Sequence, residues 1–564
     1  MNWLFRPSIL AIVSAGLALS AMALVLWPRT SDNRALPLPL AEGDQEIVWL
    51  YAATNAAPWE RFVTAVDKAV QRLHAEHGEL ALEMDARNAF PRQTTGISEL
   101  ALSVKGKKGR LWFRWYKLTS DLKTQDWVKA LLQRQPAPLA ILGGSSSDLA
   151  IELAHSLAEE VAQRPTGPAP LMLLTTATAN DEPPSARAQE ERPSLQPLNL
   201  IYPNRSFRFC FTNRQMADTV TDFIWSQNDL RPDSDPLYVT FWEDDPYSWD
   251  LNRRFCDALQ AAAIRSTARN AVRHWSWFAG FLATGGLPVD MTHVYLSHFR
   301  METPRSQRIL YSVGTFDRPN QWETQAARDL IEAKIHDYPT QQRPLLIVPA
   351  AAQPSRRFLR ALVRVAPVES RRFVVATGDA IAFNVVYRDR NVTWPIQDLP
   401  FPFVFFCHRN PVDAQAGFTE NPSPQDDPEG GSSASAGTED LLLFADIVET
   451  LAQASYQNGD LLANSDALRD RLREAQWLKD VGRIDFGQAG QPLFDDDGNR
   501  RSGTGEHVVY LQPSYEGSEV LPKAKIAVWS WLPDQAPGKR WLQRKLLDVG
   551  YEGFSDQDSD APKP

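Results

Sequence analysis

Cysteine is scarce in this chain, which has three of them in 564 residues: Cys210, Cys256 and Cys407. They allow at most one disulfide bond, and none stands in a CxxC pair, so the sequence excludes a disulfide scaffold and the CxxC metal and redox motifs. The nine histidines are scattered, and no pair has the HExxH spacing of zinc peptidases. We therefore predict neither a metal nor a cofactor.

A long basic stripe is also missing. The 59 Lys and Arg residues are outnumbered by 69 Asp and Glu, which gives a net charge of -10. This balance predicts no nucleic-acid partner. Apolar residues, in contrast, are plentiful: the chain is 43% hydrophobic, with 26 Phe and 18 Trp, so it can bury more than one core.

An uncharged apolar run at residues 8–27, flanked by Arg6 and Arg29, is long enough to cross a bilayer as a helix. We predict an uncleaved signal-anchor over residues 1–28, a spacer over 29–45, and a location in the membrane with the bulk of the chain extracytoplasmic, in the periplasm or outside the cell. A cleaved signal peptide ending at Ala21-Met22-Ala23 is the alternative.

Strand-like and helix-like segments alternate along most of the remaining chain, a pattern typical of α/β folds with parallel sheets. We predict a first lobe at residues 46–205 and a second at 206–410. A flexible insertion follows at 421–437, then helices and strands that complete the lobes at 438–550, and a disordered tail at 551–564. The aromatic-rich residues 274–300 receive no role.

Small hydroxyl residues follow two of the predicted strands. Ile141 to Asp148 is Ile-Leu-Gly-Gly-Ser-Ser-Ser-Asp, and Leu171 to Asn180 ends in Thr-Thr-Ala-Thr-Ala-Asn. Because ligands bind beyond the carboxyl ends of parallel strands, we expect one cavity to be lined by Ser145, Ser146, Ser147, Thr176 and Thr178. A helix starting there favours an anion. Helix capping and ordinary strand-end positions are the alternative interpretations.

The order of these segments resembles the type I periplasmic binding protein family, in particular its branched-chain amino-acid and amide receptors. Besides the two hydroxyl-rich segments, the resemblance includes Ser206 to Asn213, Leu237 to Tyr247 and Val374 to Asp379. It covers roughly residues 45–413. It implies a two-lobed α/β fold, with two parallel sheets flanked by helices and a hinge of crossover strands.

The resemblance also implies roles for single residues. Ser145, Ser146 and Ser147 match a loop that holds a ligand carboxylate, and Thr176 and Thr178 match positions that take the amino and carboxylate groups. Tyr247 matches a tyrosine that closes over the ligand, and Asp379 an acid that pairs with an ammonium. The implied protein is not an enzyme but binds an amino acid or amide, for a membrane permease or a signalling partner.

Two other functions stay open. Gly143 to Ser147 superficially matches the nucleophile elbow of α/β-hydrolases, with Asp379 and His408 in the right order, although Ser147 replaces the second glycine. A ligand-less envelope scaffold that binds a protein partner is the other alternative. We also hypothesise that Cys210 and Cys407 lie near each other at the hinge, with two free buried thiols as the default.

Overall fold

The computed structural model describes residues 35–52, 56–76, 81–93, 96–165, 167, 169–182, 197–232, 237–240, 245–273, 297–300, 321–334, 343–380, 399–408, 439–473, 497–499, 506–514, 523–531 and 541–545. The predicted signal-anchor at 1–28, the insertion at 421–437, the tail at 551–564 and residues 274–296 lie outside this set. Within it, no helix combines the length and apolar character that crossing a membrane requires.

The first sheet has seven strands in the order β2-β3-β4-β1-β5-β6-β7. They are β1 Gln45–Ala52, β2 Leu82–Asp85, β3 Ser98–Val104, β4 Leu111–Leu118, β5 Ala140–Gly143, β6 Leu171–Leu174 and β7 Ser206–Arg208. The central strands are continuous apolar runs, as expected for strands covered on both faces. Ile47 and Val48, for example, point to opposite faces of β1 and are both fully buried.

The second sheet has eight strands in the order β17-β16-β15-β12-β11-β10-β8-β9. They are β8 Leu237–Thr240, β9 Ser297–Arg300, β10 Leu345–Ile347, β11 Val374–Ala376, β12 Phe403–Cys407, β15 His507–Ser514, β16 Lys523–Trp531 and β17 Trp541–Lys545. A separate hairpin joins β13 Tyr456–Gln457 to β14 Asp460–Leu461. The chain is therefore an α/β protein with two lobes, each built on its own sheet.

Helices cover both sheets. In chain order they are α1 Ala57–Glu76, α2 Thr124–Gln133, α3 Ser147–Ala162, α4 Leu198–Ile201, α5 Asn213–Ser226, α6 Pro246–Arg273, α7 Gln321–Lys334, α8 Ala352–Val365, α9 Glu439–Ser455 and α10 Ser465–Arg473, with a 3-10 turn at Glu369–Arg372. The late helix α9 packs along α1 in the first lobe. Phe444 of α9 thereby joins the core around Trp49 and Phe62.

The prediction of two parallel sheets is wrong in part, because both sheets are mixed. In the first sheet β2, β3 and β4 pair antiparallel, and in the second β12, β15, β16 and β17 do. The link from β3 to β4, residues 105–110, has room for a turn only. A parallel pair needs a crossover of a dozen or more residues. A link of this length therefore forces an antiparallel pair.

The chain crosses between the lobes near the ends of β7 and β12 and again after residues 497–499. Strand β7 lies in the first sheet, although the sequence places residue 206 at the start of the second lobe; the crossover comes after Arg208. Later, Asn499 forms a parallel bridge with Arg208 before the chain enters β15. The described parts of these crossovers thus lie next to one another.

The residues before β1 are fastened to the first lobe around one buried carboxylate. Glu46, at the start of β1, is fully buried and binds Arg114 (3.2 Å), the hydroxyl of Tyr116 (3.0 Å) and Arg134. The same two arginines donate to the carbonyl of Leu38, at 3.3 Å and 2.8 Å. These bonds fix residues 35–44 against the body of the lobe.

Candidate functional site between the lobes

A cavity of about 310 Å³ lies between the two lobes. The first lobe lines it with Trp49, Tyr51, Pro58, Arg61, Ser145, Ser146, Ser147, Thr175, Thr176 and Phe444. The second lobe lines it with Asp245, Tyr247, Ala351, Asp379 and Ala380. All of the predicted site residues except Thr178 are therefore brought together at one cavity.

The serine loop owes its shape to Gly144, which has a φ of +67°. A Cβ atom there would lie 2.7 Å from that of Ala150, so a side chain is excluded as well as the backbone conformation disfavoured. The chain then enters α3 with Ser146 as the extended N-cap residue, whose side chain makes no capping hydrogen bond. The Ser146 hydroxyl at the cavity wall is therefore not occupied by capping its own helix.

The threonines after β6 divide into two groups. Thr175 and Thr176 line the cavity, and the Thr176 hydroxyl donates to the carbonyl of Ser145 at 2.9 Å. Thr178, in contrast, is 1% exposed and its carbonyl accepts from the N–H of Asn213, at the start of α5. The prediction that Thr178 lines the site is corrected to Thr175, because the chain turns toward the crossover two residues beyond the strand end.

Tyr247 and Asp379 form a pair on the second lobe. The tyrosine hydroxyl donates to Asp379 Oδ1 at 3.0 Å and accepts from the N–H of Ala380 at 3.4 Å. Burial, and then the charge of Asp379, hold the pKa of Tyr247 well above its usual value, so the hydroxyl stays a donor. Gly378 makes room for this arrangement, because a Cβ atom there would lie 2.7 Å from the hydroxyl.

Asp379 has a second partner that the sequence suggested only for a hydrolase. His408, which is 1% exposed, lies with Nε2 2.8 Å from Asp379 Oδ2. Its Nδ1 accepts the backbone N–H of Phe211 at 3.1 Å. Both ring nitrogens are thus in hydrogen bonds with groups other than serine, and the three residue types do not form the Ser-His-Asp arrangement in which histidine bridges acid and nucleophile.

Asp245 is a cavity residue that the sequence analysis missed. It precedes Pro246, the first residue of α6, and its Oδ2 accepts from the N–H (3.1 Å) and hydroxyl (2.6 Å) of Ser248. Asp followed by Pro at a helix start was the available sign of an N-cap. Burial is the main reason that the pKa of Asp245 is raised, and the nearby Asp148 raises it further.

We expect Asp245→Asn to melt a few degrees higher than the parent protein at pH 7. Burial raises the folded-state pKa of Asp245 above that of a free aspartate, so ionisation of the folded protein costs stability as the pH rises above the ordinary aspartate range. Asparagine caps helices equally well without this cost. Melting curves from pH 7 down to pH 4 should show the gap closing, while the exposed Asp329→Asn leaves the melting temperature unchanged. A lower melting temperature for Asp245→Asn at pH 7 would contradict this.

An aromatic wall and one arginine complete the first-lobe side. Trp49 packs against Tyr51 at 5.9 Å and against Phe444 at 5.3 Å between ring centroids. Trp49 and Tyr51 lie toward the end of β1, the edge at which β5 carries the serine loop. Arg61 comes from the first turns of α1. The cavity therefore combines aromatic surface, hydroxyl groups and both signs of charge.

The predicted hinge cysteines are free thiols. Cys210 lies in the core of the first lobe and Cys407 in that of the second. Their neighbours meet instead: the rings of Phe211 and His408 stack at 5.8 Å with 6° between the planes. The two crossover segments are therefore adjacent, with the thiols packed into separate cores.

No protein-family model and no curated protein matches the chain. Solved structures of similar shape are solute-binding proteins of ABC transporters. The leucine-binding protein of Thermotoga maritima is 13% identical, with 87% of this chain and 99% of that one covered and a TM-score of 0.42. A Brucella ovis protein that binds leucine, isoleucine, valine, threonine and alanine is 11% identical, with 89% and 96% covered and a TM-score of 0.45.

A solute-binding protein of Rhodopseudomonas palustris, in complex with 3,4-dihydroxybenzoic acid, is 11% identical, with 86% of this chain and 96% of that one covered and a TM-score of 0.45. These are type I periplasmic binding proteins, the family that the sequence resembles. Identities and TM-scores at this level carry no ligand or activity over to this chain. The chemistry of the site rests on its own residues.

Proposed function

We propose that this chain is a membrane-anchored extracytoplasmic solute-binding or receptor protein. It binds a small polar ligand, an amino acid or a related amide, between its two lobes. The observation that carries the proposal is the division of the cavity: hydroxyl groups, a helix start and an arginine on one lobe face two carboxylates on the other. A ligand with both charges bridges the lobes and favours their closure.

The anionic end of the ligand binds to the first lobe. Ser145 and Ser146 stand at the N-terminus of α3, where backbone N–H groups and the helix dipole favour a carboxylate. Arg61 adds a guanidinium that is always charged and matches the geometry of a carboxylate. Neutral donors and one cation together offset the cost of removing the carboxylate from water.

The cationic end binds to the second lobe. Asp379 and Asp245 both line the cavity, and neither forms an ion pair with a Lys or Arg of the described chain. An ammonium group supplies the opposite charge and donates to their remaining lone pairs. The ring of Tyr247 lies on the same wall, and the aromatic side chains across the cavity favour a ligand with an apolar side chain.

Localisation and partners follow from the same proposal. The apolar run at residues 8–27 tethers the protein to the membrane with both lobes on the outer side. A permease or a signalling protein then detects the closed form, because lobe closure changes the surface that a partner contacts.

Thermal shift of the full-length protein in detergent tests the proposal. A ligand at one hundred times its dissociation constant stabilises the folded state by about 2.7 kcal/mol. The panel is L-amino acids and their amides, each beside its deaminated acid and its decarboxylated amine. We expect an intact amino acid or amide to raise the melting temperature more than either truncated analogue. No shift across the panel, together with hydrolysis of a nitrophenyl ester, would support the hydrolase instead.

A further inference from the structure

We propose that His408 is a positioning residue that links the ligand-binding carboxylate to the hinge. The inference rests on the proposed function, because it assumes that Asp379 contacts a ligand. Its structural part does not depend on which ligand that is. His408 lies at the end of β12, where the chain leaves the second lobe.

The hydrogen bonds of His408 define its tautomer. A backbone N–H can only donate, so Nδ1 must accept from Phe211 and cannot carry a proton. The proton of a neutral ring is then on Nε2 and is donated to Asp379 Oδ2, 2.8 Å away. His408 is thus a neutral ring with a fixed donor side and a fixed acceptor side.

The donor side orients the carboxylate at the cavity. His408 holds Oδ2 of Asp379 while Tyr247 holds Oδ1. A carboxylate bonded through both oxygens cannot rotate, so its remaining lone pairs keep one direction. Such pre-organisation lowers the cost of ordering the site when a ligand binds.

The acceptor side fastens the two neighbouring crossovers to each other. Phe211 belongs to the link between β7 and α5, and its ring stacks on His408. Phe406 packs against both rings, at 5.4 Å from Phe211 and 5.2 Å from His408. All three side chains are at most 1% exposed. A displacement of Asp379 by a ligand is therefore transmitted through one ring to the backbone of the other crossover.

Two substitutions separate the two sides. In His408→Asn the amide oxygen takes the place of Nδ1, so the bond from Phe211 is kept and the donor to Asp379 is lost. In His408→Gln the amide nitrogen takes the place of Nε2, so the donor is kept and the acceptor is lost. We expect His408→Asn to weaken binding of the tightest panel compound by about ten-fold or more with the exchange of the Phe211 amide unchanged. For His408→Gln we expect that exchange to be about ten-fold faster.

Hydrogen exchange over residues 206–213 and calorimetric affinities measure these effects in the full-length protein. Ring ¹⁵N shifts of the parent protein provide a test that does not depend on variants folding: Nδ1 of His408 should be unprotonated and Nε2 protonated. A protonated Nδ1, or equal effects of both substitutions on exchange and affinity, would overturn the proposal. If the parent binds no panel compound, the proposed function fails, whereas the ring shifts and the exchange data still decide the role of His408 at the hinge.

Discussion

Asp379→Asn is expected to lower the affinity for the tightest-binding amino acid or amide by at least about thirty-fold, because removing one partner of a buried charge pair costs about 2–5 kcal/mol. The substitution keeps the size of the side chain and removes the charge that faces the ligand ammonium. It also leaves one oxygen for two donors, Tyr247 and His408. One of them loses its partner, at a cost of about 1–3 kcal/mol of folding stability.

The control for charge is Asp329→Asn, on an exposed face of α7 in the same lobe. It removes one negative charge from an exposed residue that does not line the cavity, so affinity should stay within about two-fold of the parent. The deaminated acid gives a second check, since it lacks the ammonium and should bind both the parent and Asp379→Asn with similar affinity. If Asp379→Asn and Asp329→Asn lowered the affinity for the amino acid equally, this would contradict the assigned role of Asp379.

Arg254→Met is expected to lower the free energy of unfolding by about 3–5 kcal/mol, the usual cost of leaving buried charges without their partner. Arg254, in α6 of the second lobe, is 6% exposed and binds Asp181 of the first lobe at 2.5 Å and Asp250 at 3.2 Å. Asp250 also accepts the backbone N–H of Asn180 at 2.6 Å. The cluster joins the lobes beside the cavity.

The pH dependence of Arg254→Met has a definite sign. Burial already raises the pKa of Asp250 above 3.8, and Arg254 is the main group that opposes the rise. Without Arg254 the pKa rises further, so ionisation costs the variant more at pH 7 than at pH 4, where the carboxyl is increasingly protonated in folded and unfolded chains. In urea unfolding at pH 7 and pH 4, the free energy of unfolding of Arg254→Met should therefore fall less far below that of the parent at pH 4.

The neighbouring Arg253 supplies the matched control. It binds the same Asp181 at 3.0 Å, but its side chain is 39% exposed. Solvent-screened ion pairs contribute about 0–1 kcal/mol, so Arg253→Met should be nearly neutral. Equal losses for the two variants would show that burial does not determine the strength of this cluster.

Sequence patterns predicted where the cavity lies but only some of the residues that line it. The serine loop and Thr176 follow from the rule about strand ends, and Tyr247 and Asp379 followed from the family resemblance. Trp49 and Tyr51 were not predicted, although β1 ends at the same edge and the same rule applies to them. Phe444 was out of reach, because it arrives on a helix nearly four hundred residues later through packing of α9 against α1.

Other features of the fold and the site depend on the local course of the backbone, which the sequence does not show. Thr176 and Thr178 are the same residue type two positions apart. Only the direction of the chain after β6 decides that Thr176 lines the cavity and Thr178 does not. The antiparallel strands were not predicted because the strand–helix alternation of a parallel sheet was also assumed for strands that are joined only by short turns. The role of His408 depends on a backbone N–H of Phe211, which no side-chain pattern reveals.

The fastening of residues 35–44 has a mechanical consequence for a tethered protein. Glu46 at the start of β1 fixes this segment by way of Arg114 and Arg134, whereas the cavity residues Trp49 and Tyr51 stand toward the far end of the same strand. Under the proposed anchoring through residues 8–27, the first lobe is the one held at the membrane. The second lobe is then the one that moves, and we expect a membrane partner of the proposed kind to detect ligand as a movement of that lobe rather than of the whole molecule.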